Sequence, residues 1–395
     1  NFNTAVGCEA GKNVTTGVEN TILGGQAGDA LTTGSQNVAI GRGALGSEDT
    51  TGKAVAVGYA ALNAQDAGAD SYNVAVGYNA GILVSTGANN TIVGGLAGST
   101  MTEGNFNALL GYNSGAQLST GSQNTLIGSL AGDALSTGSF NVAVGIHALS
   151  SEDTGHKATA IGYHALFAQN NDTDTYNVAV GHEAGKSVTT GVQNILIGGL
   201  AGDAITTGKR IVAIGHNALS AETEGDQIVA IGNSCLTNYN VGDNDGNVVA
   251  VGYQAAQNMT TGTGGVIIGS LAGNALTTGS NNVVLGYNAL GVETTGSDAV
   301  AIGPNALANQ SYNGSSYNVA IGHDTGRQIT SGIRNTLVGS NAGDNITVGR
   351  YNVAMGYHSL GDNLLTDFNV AIGYDALRDL VGDGSTNNQA TYNVG

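Results

Sequence analysis

The chain has 395 residues, of which 65 are glycine, one is proline and none is tryptophan; only 10% are charged, and the formal net charge is −18. Ordinary globular chains carry roughly 7% glycine and about 25% charge. Collagen is excluded by the missing every-third glycine, disorder by the 41% apolar content, and nucleic acid or an anionic membrane surface as a partner by the acidic balance.

Along the chain one glycine column sets a register: Gly7, Gly24, Gly41, Gly58, Gly77, Gly94, Gly111, Gly128, Gly145 and Gly162, then Gly181, Gly198, Gly215, Gly232, Gly252, Gly269, Gly286, Gly303, Gly322, Gly339, Gly356 and Gly373. The step is 17 residues, as from Gly7 to Gly24, and lengthens after Gly58, Gly162, Gly232 and Gly303, with a fifth insertion after Gly373. Each unit reads approximately Asn–(Val/Thr)–apolar–aliphatic–Gly–x–x–Ala–(Gly/Leu), followed by a polar stretch that often closes in Thr-Thr-Gly. Seventeen residues are too few for a helix pair but enough for two short strands and two turns. The spacing therefore predicts an all-β fold, a parallel β-solenoid or β-roll of about 22 coils.

The glycines are expected to close turns that other residues would strain. The small residue three places on, usually alanine, suits a close backbone approach, with Ser114, Cys235, Thr325 and Ser359 as exceptions. Asn3, Asn20, Asn37, Asn73, Asn90 and Asn107 recur in one slot, so they are expected to stack as a ladder that exchanges side-chain amide hydrogen bonds. At about 4.8 Å per coil the expected rod is roughly 100 Å long.

A super-repeat of about 70 residues groups four coil types. Between Tyr176 and Gly232 they carry Asn-Val-Ala-Val-Gly, then Asn-Ile-Leu-Ile-Gly-Gly-Leu-Ala-Gly-Asp, then an acidic turn ending Ser-Ala-Glu-Thr-Glu-Gly, then Ile228-Val229-Ala230-Ile231-Gly232 before a longer loop. Residues 1–395 are read as a single continuous β-solenoid segment of a longer fibrous protein, because Asn1-Phe2-Asn3 and Tyr392-Asn393-Val394-Gly395 fall inside repeats. Within such a segment the lack of a signal peptide, membrane-spanning run or lipidation motif carries no meaning.

The chemistry-bearing motifs mostly dissolve into the repeat. Gly181-His182-Glu183-Ala184-Gly185-Lys186-Ser187 is one residue short of a P-loop, and the same slots elsewhere read Gly77-Tyr78-Asn79-Ala80-Gly81-Ile82. Gly41-Arg42-Gly43-Ala44-Leu45-Gly46 fits a dinucleotide fingerprint with no helix pattern after it. His147, His164, His182, His216, His323 and His358 fall one or two places after an anchor glycine, where tyrosine often stands; His156 does not. No pair has the spacing of a metal motif, which leaves symmetry copies around an axis as the route to a histidine site. Asp243-Asn244-Asp245-Gly246 gathers oxygens as a Ca²⁺ loop does, with Asp243 and Asp245 as ligands, but lacks the closing glutamate. The other insertions hold Asp66 and Asp70, Asp172 and Asp174, Ser311 to Ser316, and Asp379 to Asn388. These read as solvated turns that decorate one side of the solenoid. Cys8 and Cys235 are far apart in the chain and occupy different repeat positions, so they say little about redox compartment. No catalytic residue and no cofactor is predicted.

The strand before each glycine is apolar at consecutive positions, as in Val38-Ala39-Ile40 and Ile195-Leu196-Ile197. Continuous apolar runs mark strands buried on both faces, and a single coil has one inside. The second face is expected to be covered by copies of the same chain.

Asn141-Val142-Ala143-Val144-Gly145 and Asn37-Val38-Ala39-Ile40-Gly41, each followed by x-x-Ala, resemble the head repeats of YadA-like trimeric autotransporter adhesins, and tail-fibre-like proteins of tailed phages have similar repeats. The resemblance covers essentially the whole chain, although the family coil is a little shorter and the Thr-Thr-Gly turn stands as an insertion. It implies a homotrimer whose Val-Ala-Ile-Gly strands face a shared core. It also implies a non-enzymatic structural or adhesive fibre shaft, extracellular on a cell surface or virion, with a host-surface glycan or protein as receptor class and no membrane insertion in this segment. The alternatives are an ice-binding or ligand-binding monomeric β-solenoid and a β-helical polysaccharide enzyme.

Overall fold

The structure, a computed structural model, describes residues 2–362 and 365–379. It is an all-β parallel solenoid: 22 strands, one for each anchor glycine, and no helix among the described residues. Two compact units divide it, Asn1–Asn194 and Ile195–Gly395, with eleven strands in each. The fifth insertion, after Gly373, lies almost wholly outside the described residues.

Most strands are three residues long, from Thr4–Val6 to Val178–Val180 in the first unit and from Ile195–Ile197 to Val370–Ile372 in the second. Within each unit every strand pairs in parallel with the next at equivalent positions, as in Thr4↔Thr21, Ala5↔Ile22 and Val6↔Leu23. Insertions leave that register intact: Ala56 pairs with Ala75, and Ala301 with Ala320. The extra residues bulge from the loop because slipping the strand by one would turn its buried middle residue outward.

The expectation of two strands per coil is corrected to one. The opposite side of each coil is a run of bends. It still hydrogen-bonds to the next coil, as in Thr15 N–H to Thr32 O (2.9 Å) and Gln36 N–H to Val18 O (3.0 Å). Residues in the left-handed region interrupt it, such as Glu19 (φ 61°) and Gln36 (φ 61°), so no ladder propagates there. Where the inserted loop brings Asp226 opposite Asp245, the strands extend to Asp226–Ile231 and Asp245–Val251 around a bulge.

The core explains the super-repeat. The residue four places after the anchor is left-handed throughout and is glycine or leucine by coil type, with Ala256 (φ 47°) as the exception. A Cβ on Gly98 would lie 2.8 Å from Leu109 Cδ1, so glycine there accommodates a large strand-centre residue on the next coil. Where leucine takes the position, as Leu45 (φ 53°) or Leu149 (φ 54°), the strand centre is alanine: Ala39 and Ala56, or Ala143 and Ala160. Summed core volume is conserved while large and small partners exchange places. Between the end coils the small residues three places after the anchor are buried as expected; three of the exceptions bond to a carbonyl of the next coil, Ser114 Oγ to Leu126 O (2.7 Å), Thr325 Oγ1 to Gly339 O (2.7 Å) and Cys235 Sγ to Ala250 O (3.3 Å), while Ser359 Oγ donates to Gly356 O of its own coil (3.0 Å).

Candidate functional site: an apolar strand face over a buried polar column

Each strand sends its middle residue inward and its two flanking residues outward. Ile22, Ala39, Leu109 and Leu196 are wholly buried, whereas Leu23 is 46% exposed, Leu110 48% and Leu285 42%. The consecutive apolar positions are thus one inner row and two outer rows. In the first unit the outer rows hold valine, isoleucine, leucine, alanine and threonine from Thr4 and Val6 to Val178 and Val180, with no charged residue. Beside them, one place after the anchor, stand exposed tyrosines: Tyr59 stacks on Tyr78 (centroids 5.3 Å apart). In the second unit Tyr357 stacks on Tyr374 (5.6 Å). An uncharged face of this size normally marks an interaction surface.

The anchor glycines Gly7, Gly24, Gly41, Gly58, Gly77 and Gly94 lie at the inner end of that face. Their φ angles run from 126° to 145°, and a Cβ on any of them would fall 2.2–2.6 Å from the carbonyl oxygen of the next anchor glycine. They are needed for coil-to-coil approach as well as for the turn.

The asparagine column is buried, but its main bonds differ from those expected. Asn20 N–H donates to Asn3 Oδ1 (2.9 Å) and Asn37 N–H to Asn20 Oδ1 (2.9 Å). The amides of Asn3, Asn20, Asn73 and Asn90 donate to the carbonyls of Gly17, Gly34, Gly87 and Gly104 on the next coil (2.7–2.9 Å). Side chain-to-side chain bonds, such as Asn90 Nδ2 to Asn73 Oδ1 (3.2 Å), are secondary. Each asparagine therefore ties two backbones together. Asn107→Ala is expected to orphan Asn124 N–H and Gly121 O and to cost about 2–4 kcal/mol in chemical denaturation; a change under about 0.5 kcal/mol would show that water replaces the ladder.

Sequence reasoning missed a second polar column. Seven places after the anchor most coils bury an aliphatic residue or methionine (Leu31, Val84, Met101, Leu118), but once per super-repeat this is Glu48, Glu152, Glu222 or Glu293. These glutamates belong to the segments read as acidic turns, and all four are buried. On the next coil the same position holds Gln65, Gln169, Tyr239 or Gln310. The signal was present as a periodic break in an aliphatic row. Every donor to these carboxylates is a neutral amide. Glu152 accepts from Gly155 N–H (2.7 Å), Asn171 N–H (3.3 Å) and Gln169 Nε2 (3.0 Å). Glu222 accepts from Thr223, Glu224, Gly225 and Val241 N–H. Because Gln169 gives its amide to Glu152, its oxygen accepts from Asn177 Nδ2 (2.8 Å). The acceptor-only glutamate fixes the direction of that chain of amides.

Burial pushes the Glu152 carboxyl above its ordinary 4.5, outweighing those amide bonds. A raised acid pKa stabilises the fold below 4.5 and loses that contribution as pH rises through the folded value. Exposed Asp70 and Asp174 run the other way, since the hydrogen bonds from Lys53 and Lys157 hold them below 3.8; their contribution is lost only at lower pH. Stability is therefore expected to rise as pH falls from 7 toward that ordinary 4.5, helped by relief of the −18 charge. The Glu152→Gln variant should show a shallower Tm slope over that range; equal slopes would contradict it.

The remaining candidates resolve plainly. Asp243 and Asp245 are both exposed; among the described residues the three-ligand grouping within 4.8 Å is Glu48, Asp49 and Asp66 instead. In it Glu48 already accepts from Thr51 N–H (3.0 Å) and Gln65 Nε2 (3.2 Å). Cys235 is buried, its thiol pushed up to about 12, and Cys8 is exposed; both are free. Neither glycine motif leads into a helix among the described residues, which removes the dipole that a P-loop or dinucleotide fold supplies. No helix is long and apolar enough to cross a membrane among the described residues. No protein-family model matches this chain, and no curated protein matches it.

Proposed function

We propose that this chain is a non-enzymatic structural fibre shaft that assembles as a homotrimer through its outward strand rows and projects or spaces an attachment function on a cell surface or virion. The observation that carries the reading is the pair of uncharged outer rows running strand after strand, Val38 and Ile40, Val55 and Val57, Val74 and Val76. Apolar area left in water that way is favourable to cover, and a second or third copy presents the matching strip at the same coil spacing. The number three comes from the YadA-like resemblance of Asn-Val-Ala-Ile-Gly and its variants. The acidic remainder keeps the assembly soluble.

The ice-binding alternative needs threonine hydroxyls free on a flat face. Here Thr32, Thr206, Thr260 and Thr277 donate theirs to the next coil's carbonyls at Asp49, Thr223, Thr277 and Thr294 (2.8–3.1 Å). Three assays test the reading on the same preparation: thermal hysteresis, reducing ends released from polysaccharide, and binding to an array of immobilised glycans. A shaft gives neither hysteresis nor reducing ends, while an adhesive one retains array glycans without cleaving them. Released reducing ends would make the chain an enzyme and overturn the proposal.

A further inference from the structure

Of the 11 lysines and arginines in this acidic chain, several pair with carboxylates, as Lys53 does with Asp70 and Lys186 with Glu183. Arg42 is exposed and, among the described residues, lies within ion-pair reach of no carboxylate; its guanidinium instead covers the Tyr59 ring, 6.0 Å from the centroid. Tyr59 stacks in turn on Tyr78 of the next coil, with 15° between the planes. A guanidinium stacked on a ring keeps a fixed plane, so its N–H fork is held in one orientation.

These three side chains, with Gln26, Asn63 and Asn79, line a cleft of about 390 Å³ within the first unit. Small-ligand sites span roughly 300–1,000 Å³. The polar groups of the cleft are only partly used. Asn63 Nδ2 donates to Gly43 O (2.8 Å), which leaves Asn63 Oδ1 to accept, and Asn79 Oδ1 has no partner. Gln26 Nε2 donates to Glu9 Oε2 (3.4 Å), a carboxylate already paired with Lys12 (3.2 Å). Coil packing does not dictate this lining. In the equivalent slots of later super-repeats, Ile146, His216 and Tyr287 stand for Arg42, and Phe167, Thr237 and Ala308 for Asn63.

We infer that the cleft of Arg42, Tyr59 and Tyr78 binds a carboxylated sugar, a uronic or sialic acid unit of a surface glycan. This rests on the attachment half of the proposed function and names the chemistry that is attached to. A guanidinium fork meets a carboxylate with two parallel N–H bonds. The phenol hydroxyls donate or accept and the amide oxygens accept, which suits the ring hydroxyls of a sugar. An inorganic anion would use Arg42 alone, and a neutral sugar would leave it unused. The net charge of −18 does not forbid an acidic ligand, because exposed charges farther away than about 8 Å are screened at physiological salt. The arginine and both tyrosines follow anchor glycines and stand outside the outer strand rows, so one chain carries the whole site.

The test is a ligand-observed NMR titration of the full chain with methyl β-glucuronide and methyl β-glucoside, which differ only in the carboxylate. The glucuronide is expected to bind saturably and about tenfold tighter than the glucoside, or more. Arg42→Gln should remove that difference. Asn63→Phe should abolish binding by filling the cleft while keeping the fold, since Phe167 stands in the same slot of a later coil. Leu110→Glu, aimed at assembly, should leave glucuronide binding unchanged. No saturable glucuronide binding, equal affinity for the glucoside, or unchanged binding in Arg42→Gln overturns the site. So does full competition by equimolar inorganic sulfate, which would make the cleft a simple anion site. Binding that emerges only in Leu110→Glu also overturns it, because a second copy would then cover the cleft. The shaft reading stands or falls separately, on the mass of the unmodified chain.

Discussion

Gly94→Ala is expected to be among the most damaging single-methyl additions this chain can receive, lowering unfolding free energy by about 3–5 kcal/mol. Two effects add. The backbone at Gly94 has φ 138°, outside the regions L-residues occupy, and the new Cβ would lie 2.2 Å from Gly111 O. Moving Gly111 away would break the Gly111 N–H to Val93 O bond (2.8 Å) and pass the displacement to the next coil. Gly68→Ala separates the two causes, since Gly68 also has positive φ (65°) but nothing within 4 Å of a Cβ. That control should cost about 1–2 kcal/mol. Guanidinium denaturation of both variants measures the difference; equal losses would mean that strain alone, and not coil-to-coil contact, fixes the anchor column.

The second large effect concerns neighbouring leucines. Leu109→Glu places a carboxylate in the core and should unfold the surrounding coils, because a buried unpaired charge costs several kcal/mol and coil stability depends on adjacent coils. Leu110→Glu places the same carboxylate on the outer row, where Leu110 is 48% exposed in the single chain. Its circular dichroism should match the unmodified chain, while its mass should fall to that of one chain, since assembly would bury three such charges against apolar neighbours. If Leu110→Glu keeps the mass of the unmodified protein, the outer rows are not the assembly surface.

Much of this architecture is legible in the order of residues. The 17-residue step, the anchor glycines and the small residue three places on are consequences of one constraint, that adjacent coils approach at strand spacing, and a constraint met 22 times writes itself into columns. The alternation of Leu45 with Gly28 is visible too, but its cause is not, because it lies in Ile22 and Ala39 on strand centres elsewhere in the coil. Glu152 was hidden for a different reason. Local composition around Ser150-Ser151-Glu152-Asp153 is polar, and only the column position shows that one of those side chains points inward against Gln169. Strand number was over-counted because bends joined by Thr15 N–H to Thr32 O have strand-like bonds without strand dihedrals.

The solution mass of the unmodified chain, by light scattering behind size exclusion, tests the shared-face assembly most directly. Three times 39.2 kDa is the predicted result; a single 39.2 kDa species would leave the outer valines and isoleucines facing water and contradict the trimeric fibre.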